Sequence, residues 1–393
     1  MVEKNSLDVQ IISSSSGSEK YEVPFGSNKV RLSLCEWAIA FIIIIGLLYL
    51  LPFLWRRVEK IKFDPDYRIP YSLSDDYWMY NRYCRSASFQ DKTLIIGDSV
   101  VWGHYVTKEQ TLSHDLNELE RDNRFVNMSI DGIHPAAMVG LIKYYGQAIS
   151  GKNIILHCNL LWMSSKKHDL QIEEEFSFNH PKLVPQFFPK IPCYRQRYAD
   201  RIAIVMGHKL SFYGWVDHLR IAYFGNMDMY SWTIEHPYEN PLCAITLELP
   251  SPNEPPSPTP VAEPWTKKRI GEFNPSWVKL DKSFQWNSFK RVIEILESRG
   301  NRIFVLVGPF NEHMLTEEGL KTYNEMKIEV ETWLEAKKIP HCVSSVLPSE
   351  YYADASHPLP DGYAMLAKQL FENKSFISFN SQCGTGSDGK NPL

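Results

Sequence analysis

Two kinds of feature are missing from this 393-residue sequence: a basic surface and a metal-ligand motif. Lysine and arginine number 42 against 46 aspartates and glutamates, which leaves a net charge of −4. Nucleic-acid-binding domains usually carry a basic face that neutralises phosphates. We therefore expect no nucleic-acid partner.

Cysteine and histidine are present, but never at ligand spacing. The seven cysteines include no Cys-x-x-Cys pair, so neither a zinc site nor a dense disulfide framework is indicated. No His-Glu-x-x-His pattern occurs among the histidines His104, His114, His134, His157, His168 and His180. The sequence therefore predicts no metal and no cofactor.

Charge is absent from residues 37–55, which begin and end with tryptophan. A helix rises about 1.5 Å per residue, so this run can cross the hydrocarbon core of a bilayer, and tryptophan suits both interfaces. We predict a single-pass transmembrane anchor over residues 36–57 that contacts lipid through residues 37–55. A buried core helix is disfavoured by the length, and a cleaved signal peptide by the long preceding tail without a small-residue cleavage site.

The charges that flank this segment bear on its orientation. Two basic residues precede it, against four that follow: Lys29 and Arg31, then Arg56, Arg57, Lys60 and Lys62. Basic residues accumulate on the cytoplasmic side of a span. This count favours a cytoplasmic carboxyl side.

Residues 92–103 contain the first candidate for chemistry. The apolar, β-branched run 93–96 ends at Gly97, as a buried parallel strand does before a tight turn. Ser99 then lies at the carboxyl end of a strand and the start of a helix, where open α/β sheets hold their ligands. Ser99 is therefore a candidate nucleophile.

A serine nucleophile needs a base and a group that orients the base. Asp354 and His357 lie three residues apart in a loop that leads into the last helix. This spacing lets the carboxylate reach Nδ1 and leaves Nε2 free for a hydroxyl. Asp361 is the alternative orienting acid, but its position favours a cap of that helix.

Together, Gly97-Asp98-Ser99 and Asp354-x-x-His357 resemble the SGNH/GDSL hydrolase family, which carries an early Gly-Asp-Ser block and a late Asp-x-x-His block. The resemblance covers roughly residues 90–160 and 300–372. It implies an oxyanion hole made by the Ser99 N–H, the Gly132 N–H and the Asn159 side chain. Gly132 is equally consistent with an ordinary turn, and the residues around Asn159 lack the glycine and aspartate of the family's third block.

Strands are predicted at residues 93–96, 124–128, 153–157, 302–307 and 341–343, with helices between them. This alternation implies a parallel sheet with right-handed crossovers. The resemblance implies an α/β domain of three α/β/α layers with a flavodoxin-like, mainly parallel sheet over residues 91–375. Outside it we predict disordered tails at residues 1–35 and 376–393 and a connector at 58–90.

Residues 163–280 match no part of the family pattern and form an insertion. Its first part is rich in aromatic residues and indicates amphipathic helices, which either cap the sheet or lie on a membrane. Residues 250–264 are Pro/Ser-rich and predict an extended loop. Beyond the insertion, Asn311 and His313 follow a strand and are candidates to line the substrate pocket, although ordinary loop polarity is the alternative.

The resemblance implies a membrane-anchored serine esterase or O-acyltransferase that acts on ester-linked acyl groups of a carbohydrate or envelope polymer. The layout is similar to the D-alanyl transfer proteins and to polysaccharide O-acetyltransferase components, which work with a multi-spanning membrane acyltransferase outside the cytoplasm. That location opposes the charge count. The alternatives are a lipid esterase and a non-catalytic binding module on a degenerate SGNH fold.

Overall fold

The computed structural model describes residues 32–381. The strands in this range are β1 (Thr93–Ile96), β2 (Phe125–Asn127), β3 (Asn153–Cys158), β4 (Arg302–Val307) and β5 (His341–Val343). The helices are α1 (Leu34–Val58), α2 (Tyr77–Ser88), α3 (Ser99–Trp102), α4 (Leu112–Glu120), α5 (Pro135–Gly140), α6 (Tyr198–Gly207), α7 (Ser211–Tyr223), α8 (Met229–Glu235), α9 (Pro241–Ala244), α10 (Phe284–Glu297), α11 (Glu317–Ala336), α12 (Pro360–Glu372) and α13 (Lys374–Ser381).

One parallel sheet contains all five strands in the order β2-β1-β3-β4-β5. The prediction of a parallel sheet is confirmed, and the predicted strand ends differ from the observed ones by at most one residue. The order is that of flavodoxin-like doubly wound sheets, whose ligands bind where the strand order reverses. Here that point lies between β1 and β3, at their carboxyl ends.

Helices cover both faces of the sheet, which gives three layers. On one face Ile96 and Leu156 belong to a core that includes residues of α2, α5, α10 and α11. On the other face Ile95 and Phe304 pack with residues of α4, α12 and α13. Burial on both faces explains why these strands are continuous apolar runs rather than alternating ones.

The first helix, α1, is 25 residues long, and its most apolar 18-residue window has a mean hydropathy of 2.6. Only 6% of that window is buried. By length and composition this helix can cross a membrane. It begins at Leu34, inside the predicted tail 1–35, whose residues 1–31 lie outside the described part of the chain.

Residues 58–90 are not the connector that the sequence predicts, because they belong to the core. Ile69, Met79 and Tyr80 are fully buried. The buried Arg68 donates from Nη1 to the carbonyls of Trp102 and Gly103, at 3.0 and 2.6 Å. The tyrosines and the single tryptophan of this segment, Trp78, bury large apolar surfaces, so the domain extends amino-terminally of residue 91.

After Ser99 the spacing of Leu112, Leu116 and Leu119 predicts a helical pattern that runs to about Arg121. The part with these leucines is confirmed as α4, but the helix is not continuous. α3 ends at Trp102, because Gly103 adopts a left-handed conformation with φ 92°. A Cβ at this position would lie 2.7 Å from Thr111 Cγ2. The chain therefore turns tightly before α4 begins at Leu112.

The predicted disordered tail 376–393 begins too early. Residues 374–381 form α13, whose Phe376 and Phe379 are buried on the α12 side of the sheet. Residues 382–393 lie outside the described part of the chain. The polar sequence of α13 does not predict a packed helix, but burial of its two phenylalanines is sufficient to hold it against the domain.

The insertion, residues 163–280, contains α6 to α9. Its amphipathic helices are confirmed, but α7 packs against α2 rather than directly on the sheet. Residues 250–264 contain no helix or strand, and the carbonyl of Pro252 accepts from Arg68 Nε at 3.0 Å. The insertion thus adds a further layer outside α2.

Candidate active site

Ser99 lies where β1 passes into α3, beside the reversal of strand order. Asp98 caps α3, its carboxylate accepting from the Val100 N–H at 3.1 Å. Gly97 allows this turn, because a Cβ there would lie 2.7 Å from the His157 Cβ. Ser99 is half-buried, so its hydroxyl remains within reach of a ligand.

The side chains of Ser99, His357 and Asp354 form one hydrogen-bonded chain. His357 Nε2 lies 2.8 Å from Ser99 Oγ, and His357 Nδ1 lies 2.8 and 2.9 Å from the two carboxylate oxygens of Asp354. An imidazole held in this way can accept the serine proton at Nε2 while Nδ1 donates to the carboxylate. The structure therefore brings together the three residues that the sequence selects.

The surroundings set the protonation of this chain. Burial raises the pKa of Asp354. The charge of His357 and the hydrogen bonds from His357 and the Ser356 N–H outweigh burial and hold the pKa well below its ordinary value. Burial lowers the pKa of His357, and the charge of Asp354 reverses this and raises the pKa above 6.5. Asp354 is therefore ionised whenever His357 is poised to act.

The loop that carries Asp354 is held by the residues that follow β4. Asn311 is fully buried, and its Nδ2 donates to the Asp354 carbonyl at 3.1 Å while its N–H donates to the Ala355 carbonyl at 2.8 Å. His313 Nε2 lies 3.0 Å from the Leu347 carbonyl. These two residues therefore support loops, and their place in a substrate pocket stays a prediction.

Three groups can stabilise an oxyanion near Ser99. The backbone N–H groups of Ser99 and Gly132 donate to no other described residue. Gly132 follows β2, and Ile130 N–H bonds to the Gly97 carbonyl at 3.4 Å, which places this loop beside the Ser99 turn. Gly132 also has φ 70°, a conformation that favours glycine.

Asn159, the third candidate, lies at the end of β3. One hydrogen of Nδ2 is taken by Asp98 Oδ2 at 2.8 Å, and Oδ1 accepts from the Leu161 N–H. The second Nδ2 hydrogen has no acceptor in the part of the chain that the structure describes. Asn159 can therefore donate one hydrogen bond to a ligand without losing its own support.

Asp98 joins several residues beneath the nucleophile, and this role was not anticipated from the sequence. Besides Asn159, its Oδ2 accepts from Trp162 Nε1 at 2.8 Å, and its Oδ1 lies 3.2 Å from His157 Nδ1. Burial raises the pKa of Asp98, but the charge of His157 and these hydrogen bonds lower it to about 2. The Asp98 carboxylate thus holds both the turn at Ser99 and the side chain of Asn159. In the sequence, only the position of Asp98 next to Ser99 could have indicated this role.

A second histidine stands beside His357. The rings of His104 and His357 are 5.3 Å apart, and His104 Nδ1 lies 2.6 Å from Asp131 Oδ1. The Tyr105 ring lies beside both histidines, with its centroid 5.1 Å from that of His104 and 5.6 Å from that of His357. His104 and Tyr105 come just after α3. In the sequence, only their closeness to Ser99 could have indicated that they lie at the candidate active site.

One group of possible metal ligands occurs away from this site. Ligand atoms of Glu331, Glu335 and His341 lie within 4.8 Å of one another. His341 begins β5, at the amino edge of the sheet, opposite Ser99. The group is unrelated to the candidate active site.

No protein-family model and no curated protein matches this chain. The roles of these residues are therefore inferred from their geometry and chemistry. The decisive geometry is the line of hydrogen bonds that joins Asp354, His357 and Ser99 at the carboxyl edge of a parallel sheet.

Proposed function

We propose that this protein is a membrane-anchored serine esterase or O-acyltransferase of the SGNH/GDSL type. The observation that carries the proposal is the 2.8 Å contact between His357 Nε2 and Ser99 Oγ, residues 258 positions apart. The second nitrogen of the same ring is held by Asp354. A nucleophile, a base and an orienting acid are the parts that covalent acyl transfer requires.

In the proposed first half-reaction, His357 Nε2 takes the proton of Ser99 as Oγ attacks an ester carbonyl. The tetrahedral oxyanion accepts hydrogen bonds from the Ser99 N–H, the Gly132 N–H and Asn159 Nδ2. The C–O bond to the leaving alcohol then breaks, and His357 returns its proton to that alcohol. The acyl group remains on Ser99.

The acceptor hydroxyl decides whether the reaction is hydrolysis or transfer. Water or a carbohydrate hydroxyl gives its proton to His357 and attacks the acyl carbon. The bond between that carbon and Ser99 Oγ then breaks, and His357 returns the proton to Oγ. A cavity of about 250 Å³ beside Gly132 supports a polar acceptor, because it is lined by Tyr71, Ser72, Ser74, Asp75, Asp131, Asn179 and His180. Hydroxyl, carboxylate and amide groups of this kind suit a sugar better than a lipid chain.

Attachment to a membrane is the second part of the proposal, and α1 is its support. The substrate is an ester of a carbohydrate or envelope polymer, and a multi-spanning acyltransferase is the proposed source of acyl groups. We place the domain outside the cytoplasm, against the flanking charge count. Carbonate extraction, which leaves integral proteins in the pellet, tests the anchor, and protease accessibility on spheroplasts tests the side.

A fluorophosphonate probe tests the chemistry directly. Full-length protein in a non-ionic detergent is incubated with the probe, and the modified residue is located by mass spectrometry. We expect one adduct, on Ser99, and none in Ser99→Ala. The exposed Ser345 provides the matched control, since Ser345→Ala leaves the site intact.

Absence of label from folded wild-type protein would favour the non-catalytic binding module. If Ser99 is labelled, hydrolysis of a small acetyl ester is measured with and without an acceptor glycan. We expect slow hydrolysis and acetyl transfer to the glycan. Fast turnover that the glycan leaves unchanged indicates an esterase, and activity on long-chain lipids alone contradicts the carbohydrate assignment.

A further inference from the structure

A cationic cavity of about 450 Å³ lies at the carboxyl end of α1, apart from the candidate active site. Its cationic lining residues are Arg56, Arg85, Lys143 and Lys209, and no aspartate or glutamate lines it. None of these arginines and lysines forms an ion pair with another described residue. The nearby Asp217 is engaged by Lys182 and Arg220, at 2.8 and 3.2 Å.

Two buried donors at this cavity have no acceptor among the residues described. They are Nε of Arg56 and Nε1 of Trp78. The Arg56 guanidinium carbon lies 5.5 Å from the centre of the Trp78 ring, over which Arg82 also lies at 4.7 Å. Arg82 is neutralised by Glu59, whereas Arg56 is not. Buried donors without acceptors are rare in proteins, and a water molecule, an ion or a ligand can satisfy them.

The cavity adjoins a more apolar one of about 310 Å³. The two share Lys143, Tyr144 and His208, and the second is lined further by Leu183, Val184 and Phe187. A ligand that fills both would have an anionic head and an apolar tail. Phosphate is the anion that such a cluster of arginine and lysine recognises best.

The hairpin of α6 and α7 carries exposed apolar side chains beside the same cavity, whose lining includes residues of the turn between these helices. Ile202 and Met206 on α6 are 52% and 50% exposed, and Tyr213 and Val216 on α7 are 51% and 41% exposed. Basic residues close to apolar side chains are typical of surfaces that rest on anionic membranes. Since α1 ends at this cavity, the bilayer is the nearest source of an amphiphilic phosphate.

We propose that this cavity binds the phosphate group of an anionic membrane phospholipid, with a lipid chain in the adjoining apolar cavity. Arg56 and Arg85 pair with the phosphate oxygens, and Lys143 lies where the two cavities meet. The site orients the domain on the membrane surface. It rests on the membrane helix of the proposed function but not on Ser99 chemistry.

The test uses full-length protein in a non-ionic detergent and counts bound lipids by native mass spectrometry. Phosphatidylglycerol and phosphatidylcholine with identical acyl chains are compared. We expect preferential binding of phosphatidylglycerol, weakened about tenfold or more in the double variant Arg85→Gln with Lys143→Gln. The control double variant Lys279→Gln with Lys321→Gln removes the same charge from exposed positions outside the cavity and should bind normally.

Equal binding of the two lipids, or equal binding by the two double variants, would overturn the proposal. Inorganic pyrophosphate that binds as tightly as phosphatidylglycerol would assign the cavity to a soluble phosphate instead. Circular dichroism confirms that each variant is folded. Ser99→Ala should retain lipid binding, so failure of the catalytic proposal and failure of the lipid site are separate outcomes.

Discussion

His357 and His218 each have oxygen atoms against both ring nitrogens. His357 lies between the Asp354 carboxylate and the Ser99 hydroxyl. His218 lies between two carboxylates, with Nδ1 2.5 Å from Asp76 and Nε2 2.9 Å from Glu59. Only the first has a partner that can give up a proton and attack a carbon atom.

Burial separates the two histidines further. The side chains of His218, Glu59 and Asp76 are 0% exposed at their contacts, whereas those of His357 and Asp354 are 14% and 28% exposed. Arg82 and the Tyr223 hydroxyl also bond to Glu59. The His218 cluster therefore holds two acids and two bases that neutralise one another and tie α7 to α2. A carboxylate beside a histidine is thus not by itself a sign of catalysis.

The largest effect should follow from removing the accessible histidine. His357→Ala leaves Ser99 without a base, so we expect the rate of fluorophosphonate labelling to fall by about 10³-fold or more. Thermal unfolding should change little, because His357 lies at the edge of the core. His236→Ala is the control, since His236 is half-buried and pairs with no described carboxylate. Labelling that survives in His357→Ala would show that another group activates Ser99.

His218→Ala should give the opposite pattern. It leaves Asp76 and Glu59 buried with only Arg82 as a cation, and breaking a buried ion pair costs about 3–5 kcal/mol. We expect the free energy of unfolding to fall by about that amount, as measured in detergent by denaturant titration. Labelling per folded molecule should remain near that of the wild type. A variant as stable as the wild type would mean that the cluster is structurally dispensable.

The same cluster predicts a pH dependence of stability. Burial lowers the pKa of His218, but Asp76 and Glu59 raise it from 6.5 to about 9. A group whose pKa is raised by folding stabilises fully below its unfolded pKa, and this contribution is lost as the pH rises through the folded pKa. The difference in unfolding free energy between wild type and His218→Gln should therefore shrink from pH 6.5 to above pH 9. A constant difference would contradict the charged state of His218.

The smallest effect should be a shift in the pH profile of labelling. His357 acts as a base only when neutral, and Asp354 raises its pKa above 6.5. The labelling rate of wild type should rise with pH around a midpoint above 6.5. In Asp354→Asn the midpoint should move to lower pH, because the carboxylate charge that raises the pKa of His357 is gone. A midpoint that does not move would remove Asp354 as the orienting acid.

Local sequence patterns are sufficient to predict the segments that consist of uninterrupted apolar runs. The five strands follow from short apolar, β-branched runs, and the ends of β1 and β4 agree with the prediction residue for residue. The charge-free run over residues 37–55 follows from hydropathy alone and lies within α1. Ser99, Asp354 and His357 were selected because the chemistry needs these residue types near strand ends.

Elements that depend on distant partners were not predicted. Residues 58–90 read as polar and aromatic, and only the fold shows Ile69 and Tyr80 in the core. The helix breaks after α3 where Gly103 packs so closely against Thr111 that a Cβ would not fit. The hydrophobic periodicity of the sequence does not reveal this contact. The burial of Phe376 and Phe379 likewise depends on a face completed by other elements.

Local hydrophobicity predicts the strands and the membrane-length helix, and the requirements of acyl-transfer chemistry predict a candidate nucleophile, base and acid. The folded domain shows which histidine faces Ser99 and which is enclosed by Asp76 and Glu59. It also shows that Asp98 supports Asn159, at 2.8 Å, and that Asn311 holds the Asp354 loop. Such pairings join residues far apart in the chain, and packing of the whole domain, rather than any local preference, determines them.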